Sequence, residues 1–199
     1  YHGANRLGAN SLLSAMYSGY AAGQKVVPYL KGLDRAGDAI PSSVFEAERA
    51  RWESRLEEIY RMDGPENPFK LFQEMGELMT TNMTVVRFNK ALQETLDKLY
   101  EIRDRQKKAG VSDTGRWGNP VVTHVIEFEN MVELAIVMTT GALLRNESRG
   151  AHYKPEFPAR DDQNWLKTTM ARYTKEGPEI SYRDVDVSLM APVRRDYTK

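Results

Sequence analysis

The chain has 199 residues, and its 28 basic and 28 acidic side chains balance to a formal net charge of zero at pH 7. This balance argues against a non-specific nucleic-acid binder, which needs a basic surface field. The absence of cysteine excludes a disulfide scaffold, a thiolate metal site and a cysteine nucleophile.

The apolar content is typical of a globular protein with a core and too low for a membrane domain. Apolar residues make up 41% of the chain, and no stretch reaches the roughly 18 uncharged apolar residues that a membrane-spanning helix needs. The nearest candidate, residues 134–144, is too short. The polar start is not a signal peptide. Because the chain begins with Tyr1 and not with methionine, we interpret it as a fragment of a longer protein.

The opening glycine-rich loop leads into the first predicted helix. Apolar residues recur at helical spacing after Asn10 and Ser11, either of which can act as the N-cap. Gly23 and then Pro28 predict the end of this helix. Residues 31–41 contain glycines and a proline, so they are predicted to form a linker.

Four amphipathic segments after the linker predict a three- or four-helix antiparallel bundle. The first segment begins with a capping box formed by Ser43 and Glu46. We expect Trp52 and Leu56 of this segment to lie in the bundle core. An Asp-Gly-Pro sequence at residues 63–65 predicts its end.

Three further helices complete the predicted bundle. They are a short helix after Pro68, a helix over residues 88–109, and a helix over residues 120–146 that is apolar on more than one face. Gly76 and Gly141 lie inside helices, where glycine lowers stability, so each predicts a close helix crossing. The positions expected to face inward are Phe69, Phe72, Met75 and Met79 in the second helix and Phe88, Leu92, Leu96, Leu99 and Ile102 in the third.

The sequence becomes irregular after Gly150. Residues 165–173 and 179–189 alternate β-branched or aromatic side chains on either side of Gly177 and Pro178, so they predict a short β-hairpin. The predicted fold is therefore mainly α: an antiparallel helical bundle with an extended C-terminal tail.

Isolated polar residues in the helices do not indicate a catalytic or metal site. His124 stands alone on its helix and is interpreted as a hydrogen-bonded histidine without a ligand role. Glu127, Glu129 and Glu133 have the spacing of a solvated helix face. No set of histidines and carboxylates has ligand spacing, so we expect no metal site.

The segment HGANRLGANSL at residues 2–12 carries the strongest chemical signal. Its glycines allow close backbone approach, and the helix that follows presents N–H groups and a positive dipole end, which suit an anion or an electron-rich ring oxygen. Arg6 adds a planar guanidinium that matches a carboxylate. A glycine-rich turn before an ordinary helix, with Arg6 solvated, explains the same pattern.

Four sequence blocks resemble the flavoprotein subunits of the succinate dehydrogenase and fumarate reductase family, and they are most similar to Bacillus-type members. The first block is HGANRLGANSL, which L-aspartate oxidase shares in closely similar form. The others are RNESRGAHY at residues 145–153, FPARDDQNWL at residues 157–166 and YRDVDV at residues 182–187. The blocks occur in family order and, together with the helical region between the first two, cover the whole chain.

The resemblance implies roles for three residues. Arg6 would bind a carboxylate of the dicarboxylate substrate, and Ser11 and Leu12 would contact the flavin ring through their backbone. The helix that they open would stabilise negative charge on the reduced flavin. The family transfers hydride between the succinate carbons and flavin N5. The proton-shuttle arginine and the flavin-linking histidine are expected upstream, so no catalytic residue is assigned here, and His2 is interpreted as structural.

The resemblance also implies a domain organisation. The expected parts are the last segment of the FAD-binding domain at residues 1–30, the linker at 31–41, a spectrin-repeat-like helical C-terminal domain at 42–148, and a tail docking on the flavoprotein at 149–199. The charged second block either contacts the flavin domain through Arg149 or His152 or forms an ordinary helix C-terminus with cations in its last turn.

The resemblance further implies a cofactor and partners. FAD is expected in the full-length subunit, with its covalent attachment upstream, and none is expected on the isolated chain, which is predicted to be inactive. An iron-sulfur subunit and a membrane anchor subunit are expected as partners, on the cytoplasmic side of the cell membrane. The alternatives are the C-terminal region of L-aspartate oxidase and a helical scaffold with no activity of its own. The long charged helices before Arg145, the RDDxxWL segment and the YRDVDV tail favour the first interpretation.

Overall fold

The described part of the chain, residues 10–193 of a computed structural model, is mainly helical and ends in a two-stranded antiparallel sheet, which confirms the predicted fold class. The helices are α1 (Asn10–Lys31), α2 (Ser42–Tyr60), α3 (Pro68–Asn82), α4 (Asn89–Gln106), α5 (Pro120–Leu144) and α6 (Asp162–Trp165), and the strands are β1 (Lys167–Arg172) and β2 (Glu179–Asp184). Among the described helices, none has the length and apolar character needed to cross a membrane. The predictions for His2 and Arg6 fall outside the described residues.

The described residues form two compact units. Unit 1 contains residues 10–68 and 108–126, and unit 2 contains residues 69–107 and 127–193. Helix α5 contributes its first residues to unit 1 and the rest to unit 2. The domain boundaries expected from the family resemblance stay a prediction.

Helix α1 of unit 1 is longer than its sequence predicts. It begins at Asn10, so Asn10 and Ser11 both lie inside the helix and neither is the predicted N-cap. It continues through Gly23 and Pro28 to Lys31, so the predicted end was also wrong. Proline removes one backbone donor, but its fixed φ is compatible with a helix. The final turn closes with a hydrogen bond from the Gly32 N–H to the Pro28 carbonyl at 3.1 Å.

The predicted capping box at the start of α2 was also wrong. The N-cap is Pro41, which offers no side-chain hydrogen bond. Because α2 already begins at Ser42, the backbone of Ser43 is helical, and an N-cap requires an extended residue. The serine and Glu46 therefore lie inside the helix.

The core of unit 1 covers only the last turns of α2. It consists of Ile59, Val111, Val122 and Val125, with Leu56 packed against them, which agrees with the expectation for Leu56. Trp52 is 39% exposed, so its predicted place in the core was wrong. Its ring instead lies under the Arg51 guanidinium, 4.8 Å away.

Two chain segments of unit 1 approach closely at Gly64 and Gly110. The Gly64 N–H donates to the Ala109 carbonyl at 3.2 Å, and the Gly110 N–H donates to the Glu66 carbonyl at 2.8 Å. A Cβ atom on either glycine would overlap a backbone carbonyl of the opposite segment. The absence of a side chain at both glycines thus allows these segments to pair.

The core of unit 2 lies between α3, α4 and α5. Its buried residues are Leu71, Met75, Leu96, Leu99, Ile102, Phe128, Val132, Ala135 and Ile136. A smaller cluster contains Met83, Leu92 and Ala142. The inward positions predicted for α4 from Leu92 to Ile102 are confirmed, because all four are buried.

Three aromatic residues predicted to face inward in unit 2 are exposed. The buried line on α3 runs through Leu71 and Met75, which leaves Phe69 and Phe72 at its flank. Phe72 still makes an edge-to-face contact with Phe128, with ring centroids 6.0 Å apart. Phe88 is the N-cap of α4 and has extended backbone, so it does not follow the helical stripe.

Neither helical glycine of unit 2 marks a helix crossing, so both of those predictions were wrong. A Cβ atom at Gly76 would meet open space. At Gly141 it would lie 3.7 Å from the Thr169 side chain, which belongs to strand β1 and not to a helix. Strand β1 therefore lies beside α5 at position 141, at a distance that an added methyl group would meet as an ordinary van der Waals contact.

The predicted hairpin is present and shorter than expected. Strands β1 and β2 pair antiparallel, with Thr169 opposite Tyr182. Gly177 in the turn has φ of +149°, which L-residues with side chains rarely adopt. The Tyr182 ring contacts Trp165 edge to face, with centroids 5.3 Å apart.

Candidate functional site

The N-terminus of α1 is the first part of the candidate site. The helix begins directly after the HGANRLGA sequence, at Asn10. Ser11 is half-buried, and the side chain of Leu12 is 74% exposed. The first turn of a helix directs backbone N–H groups and a partial positive charge outward, which suits an anionic or electron-rich ligand. The predicted flavin contacts of Ser11 and Leu12 stay predictions, and Arg6 lies outside the described residues.

The rest of α1 presents an apolar surface. Most side chains of the helix are exposed, and they include five large apolar side chains in its first three turns. These are Leu12, Leu13, Met16, Tyr17 and Tyr20. A helix with this composition is suited to packing against further protein surface.

A buried ionic network after α5 is the second part of the candidate site. Its centre is Glu147, which is fully buried. The carboxylate accepts hydrogen bonds from Arg145 Nη1 at 2.5 Å, from Arg149 Nε at 2.9 Å and from the Asp161 N–H at 3.0 Å. Two guanidinium groups thus neutralise one buried carboxylate, which is the arrangement that makes a buried charge tolerable.

Arg145 connects the end of α5 to the hairpin. Beyond Glu147, it donates to the Trp165 carbonyl at 2.9 Å, to the Lys167 carbonyl at 2.6 Å and to the Thr169 hydroxyl at 3.2 Å. Its guanidinium also lies 5.3 Å from the centre of the Trp165 ring. The planar five-donor group of arginine makes these contacts possible at once, which a lysine cannot do.

Arg149 extends the network toward the tail. Its Nη2 donates to Asp162 Oδ1 at 2.7 Å, and the other oxygen of Asp162 accepts from Arg160 at 2.6 Å. Arg160 in turn donates to the Val193 carbonyl at 2.9 Å. Burial lowers the pKa of Arg149, but the hydrogen bonds that Arg149 donates to Glu147 and Asp162 outweigh this effect and raise it. The hydrogen bond from Arg149 lowers the pKa of Asp162.

Lys154 is a fully buried ammonium group beside this network. Its Nζ donates to the Leu143 carbonyl at 2.8 Å and to Asn146 Oδ1 at 3.2 Å. The first of these bonds caps the C-terminal turn of α5, where a cation is favoured. Burial lowers the pKa of Lys154 to about 8.

The arrangement holds the chain that follows α5 in place, and it contacts Asp161, Asp162 and Trp165 of the FPARDDQNWL block. Arg149 pairs with Asp162 within unit 2 and is not the free cation of an ordinary helix end. Its predicted contact with a flavin domain stays a prediction. Among the described residues, no group of three or more histidine and acidic side chains is placed to hold a metal ion. Glu133, interpreted as part of a solvated face, pairs with Arg103 of α4 at 3.6 Å.

Sequence reasoning missed two residues beside the buried ionic network, Lys154 and Arg87. Lys154 directly follows the RNESRGAHY block, and this position could have indicated that it belongs to the same site. Arg87 lies 65 residues from His152, with which its Nη1 makes a 2.6 Å contact, and nothing in the local sequence indicates this.

Residues 72–197 match the family model described as the fumarate reductase flavoprotein C-terminal region. The chain belongs to this family. It is 50% identical over its whole length to the succinate dehydrogenase flavoprotein subunit of Bacillus subtilis, of which it covers 34%. It is 36% identical to the fumarate reductase flavoprotein subunit of Proteus vulgaris over 98% of the chain, and covers 33% of that protein.

A solved structure agrees with these relatives. The chain superposes on E. coli quinol fumarate reductase with a TM-score of 0.86 and 33% identity, over 97% of this chain and 33% of that one. The chain thus spans about a third of the length of the curated relatives it matches. These relatives confirm the family predicted from the four sequence blocks, and they do not favour L-aspartate oxidase.

Proposed function

We propose that this chain is part of a flavoprotein subunit that interconverts succinate and fumarate by hydride transfer with FAD. The observation that carries the proposal is the 50% identity, along the entire chain, to a succinate dehydrogenase flavoprotein subunit. The predicted flavin-proximal helix start supports it, because α1 begins at Asn10, immediately after the glycine-rich segment.

In this function the start of the chain forms one wall of the flavin and substrate site. The Arg6 guanidinium binds one carboxylate of the dicarboxylate through a bidentate, charge-assisted pair. The backbone of Ser11 and Leu12 contacts the flavin ring, and the dipole of α1 favours negative charge on it. FAD supplies the hydride chemistry when it is bound. The proton-shuttle residue and the covalent flavin attachment belong to the part of the subunit upstream of this chain.

The subunit works within a larger assembly in this proposal. The solved relatives include E. coli quinol fumarate reductase and a quinol-fumarate reductase with menaquinol molecules. We therefore expect an iron-sulfur subunit and a membrane anchor subunit as partners. The flavoprotein is then peripheral and lies on the cytoplasmic side of the cell membrane. The chain on its own, without the remaining flavin-binding elements, is expected to show no turnover.

The test substitutes Arg6 in the intact assembled subunit. Arg6→Ala and Arg6→Lys should both weaken dicarboxylate binding, since lysine keeps the charge but loses the planar fork. Misplacing the reacting carbon lowers the turnover rate on the order of 100-fold. Flavin content should stay unchanged, because the expected flavin contacts are made by the backbone. The measurements are flavin absorbance, succinate oxidation and affinity for a dicarboxylate inhibitor.

A matched control is Arg49, an exposed arginine on α2 that pairs with Glu53 in the next turn. Arg49→Ala and Arg49→Lys should leave turnover and inhibitor affinity unchanged. Normal turnover and inhibitor affinity in Arg6→Ala would exclude the substrate-binding role. Oxidation of L-aspartate and not succinate by the unsubstituted subunit would overturn the proposed function as a whole.

A further inference from the structure

His152 sits in a position that fixes its protonation state. The ring belongs to the turn that follows α5 in unit 2 and is 8% exposed. Its Nδ1 lies 2.6 Å from Arg87 Nη1, and its Nε2 lies 3.1 Å from the Arg145 carbonyl oxygen. Each ring nitrogen therefore has one close partner of defined chemistry.

These two partners select one neutral tautomer. A guanidinium can only donate a hydrogen bond, so Nδ1 must offer its lone pair to Arg87. A carbonyl oxygen can only accept, so Nε2 must carry the proton toward Arg145. An imidazolium would have protons on both nitrogens and would face the Arg87 donor with another donor.

The His152 ring lies at a junction between two chain segments. The Arg87 N–H donates to the Tyr153 carbonyl at 2.8 Å, and the Tyr153 N–H donates to the Val85 carbonyl at 3.2 Å. These bonds join the α3–α4 loop to residues 149–153. The Arg87 side chain spans the same junction, since it also donates to the Met83 carbonyl at 3.1 Å.

We propose that His152 is an acid-sensitive latch, which holds the turn at residues 149–153 on the α3–α4 loop and releases it when Nδ1 takes up a proton. Protonation removes the acceptor for Arg87 and adds a positive charge beside it. The turn that is released contains Arg149, which joins Glu147 to Asp162 of the tail, so acid weakens the attachment of the tail to the bundle.

The charges around His152 all oppose its protonation. They are those of Arg87 from the α3–α4 loop, Arg145 at the end of α5 and Lys154 from the segment of His152 itself. The nearby carboxylate of Glu147 already pairs with Arg145 and Arg149. Burial is the largest cause that lowers the pKa of His152 below its usual 6.5, although the hydrogen bond with the Arg145 carbonyl acts in the opposite direction.

The sign of the pH effect follows from this lowered pKa. At pH values below 6.5 the opened turn binds a proton at His152, while the closed turn stays neutral. Opening therefore becomes about tenfold easier for each pH unit below 6.5, until His152 is also protonated in the closed form. Above pH 6.5, His152 is neutral in both forms, so it adds no pH dependence to the opening of the turn.

The first experiment follows the histidine nitrogens by ¹⁵N NMR in the full 199-residue chain, which has three histidines. The expected result is a His152 ring that carries its proton on Nε2 and titrates below 6.5. A proton on Nδ1 in the neutral form, or titration at or above 6.5, would overturn the latch.

The second experiment measures hydrogen-exchange protection of the Arg87 and Tyr153 amides between pH 7.5 and 4.5. In the unsubstituted chain their protection factors should fall as the pH drops below 6.5, by at most about tenfold per pH unit. The Gly110 amide, bonded to Glu66 in unit 1, is the internal reference and should not follow this fall. His152→Asn keeps an acceptor for Arg87 without a titratable ring, so protection should become independent of pH.

His124→Asn is the matched control, because this histidine lies on α5 in unit 1. It should leave the pH profile of Arg87 and Tyr153 unchanged. Equal profiles in the unsubstituted chain and in His152→Asn would contradict the proposal. If His152→Asn does not fold, the unsubstituted chain tests the proposal by itself. Loss of protection at the Arg87 and Tyr153 amides must then follow the His152 titration. Protection of these amides that persists through the titration refutes the latch.

Discussion

Arg149 donates two hydrogen bonds to the carboxylate of Glu147, from Nε at 2.9 Å and from Nη2 at 3.1 Å. The two residues are only two positions apart, and Arg149 also begins the turn that its backbone closes with His152. Because the same carboxylate also accepts from Arg145 and from the Asp161 N–H, one buried group joins the end of α5, the turn and the tail.

Removing the charge of Glu147 should therefore be costly. Glu147→Gln leaves Arg145 without a carboxylate and Arg149 with only that of Asp162, which costs about 3–5 kcal/mol of unfolding free energy. Urea denaturation of the full chain measures this loss. Glu48→Gln removes an exposed partner of Arg51 on α2 and serves as the control, with no measurable change expected. Equal stability of the two variants would show that the network is not stabilising.

The Gly177 turn should not tolerate a side chain. Gly177 has φ of +149°, and a Cβ atom there would lie 2.5 Å from the Tyr100 hydroxyl oxygen. Gly177→Ala should cost about 1–3 kcal/mol because the backbone is strained. Adding Tyr100→Phe should relieve the clash but not the strain, so the double variant should recover only part of the loss in a thermal melt.

The contrasting substitution is Gly76→Ala on α3. Open space surrounds this glycine, so alanine adds no clash and lowers the backbone entropy of the unfolded chain. The expected result is a gain of about 0.5–1 kcal/mol in unfolding free energy. A loss of stability would mean that position 76 is packed more closely than the structure describes.

Helix α2 should be sensitive to truncation only near its C-terminus. Ile59 is fully buried in the core of unit 1, so Ile59→Ala should cost about 2–5 kcal/mol. Phe45, near the other end of the same helix, is exposed, and Phe45→Ala should stay within about 0.5 kcal/mol of the unsubstituted chain. Chemical denaturation compares the two. A large loss for Phe45→Ala would indicate a covering surface over the first turns of α2.

Lys154 should make stability rise with pH in the alkaline range. Its pKa is lowered from 10.5 to about 8 by burial, so the unfolded chain binds more protons between these values. The penalty for burying the charge is fully present below about pH 8 and fades as the pH rises toward 10.5. The unfolding free energy of the unsubstituted chain minus that of Lys154→Met should therefore increase by at most about 1.4 kcal/mol per pH unit. Parallel pH profiles would contradict this.

Several features of the fold follow from local sequence. The stripe of Leu92, Leu96, Leu99 and Ile102 is buried as its 3.6-residue period predicts, because the spacing of apolar residues determines which face of a helix avoids water. The hairpin is predicted by its alternation and its glycine turn. The family is predicted by four sequence blocks, and recognising them needs no three-dimensional information.

Other features depend on the neighbours that the fold supplies. Trp52 has the same helical spacing as a core residue, yet it is exposed because residues 109–125 cover only the last turns of α2. Gly141 was expected at a helix crossing, but the element that lies against it is a strand. Periodicity identifies the apolar face of an element, and it does not identify what covers that face.

The candidate site divides in the same way. The sequence alone determines the family, a helix start near Asn10, and the expectation of flavin and substrate contacts at Arg6, Ser11 and Leu12. Only the tertiary structure decides that Glu147 is buried between two guanidinium groups and that His152 meets Arg87. Those contacts join residues up to 65 positions apart, and their energy comes from desolvated charges whose partners no local pattern records.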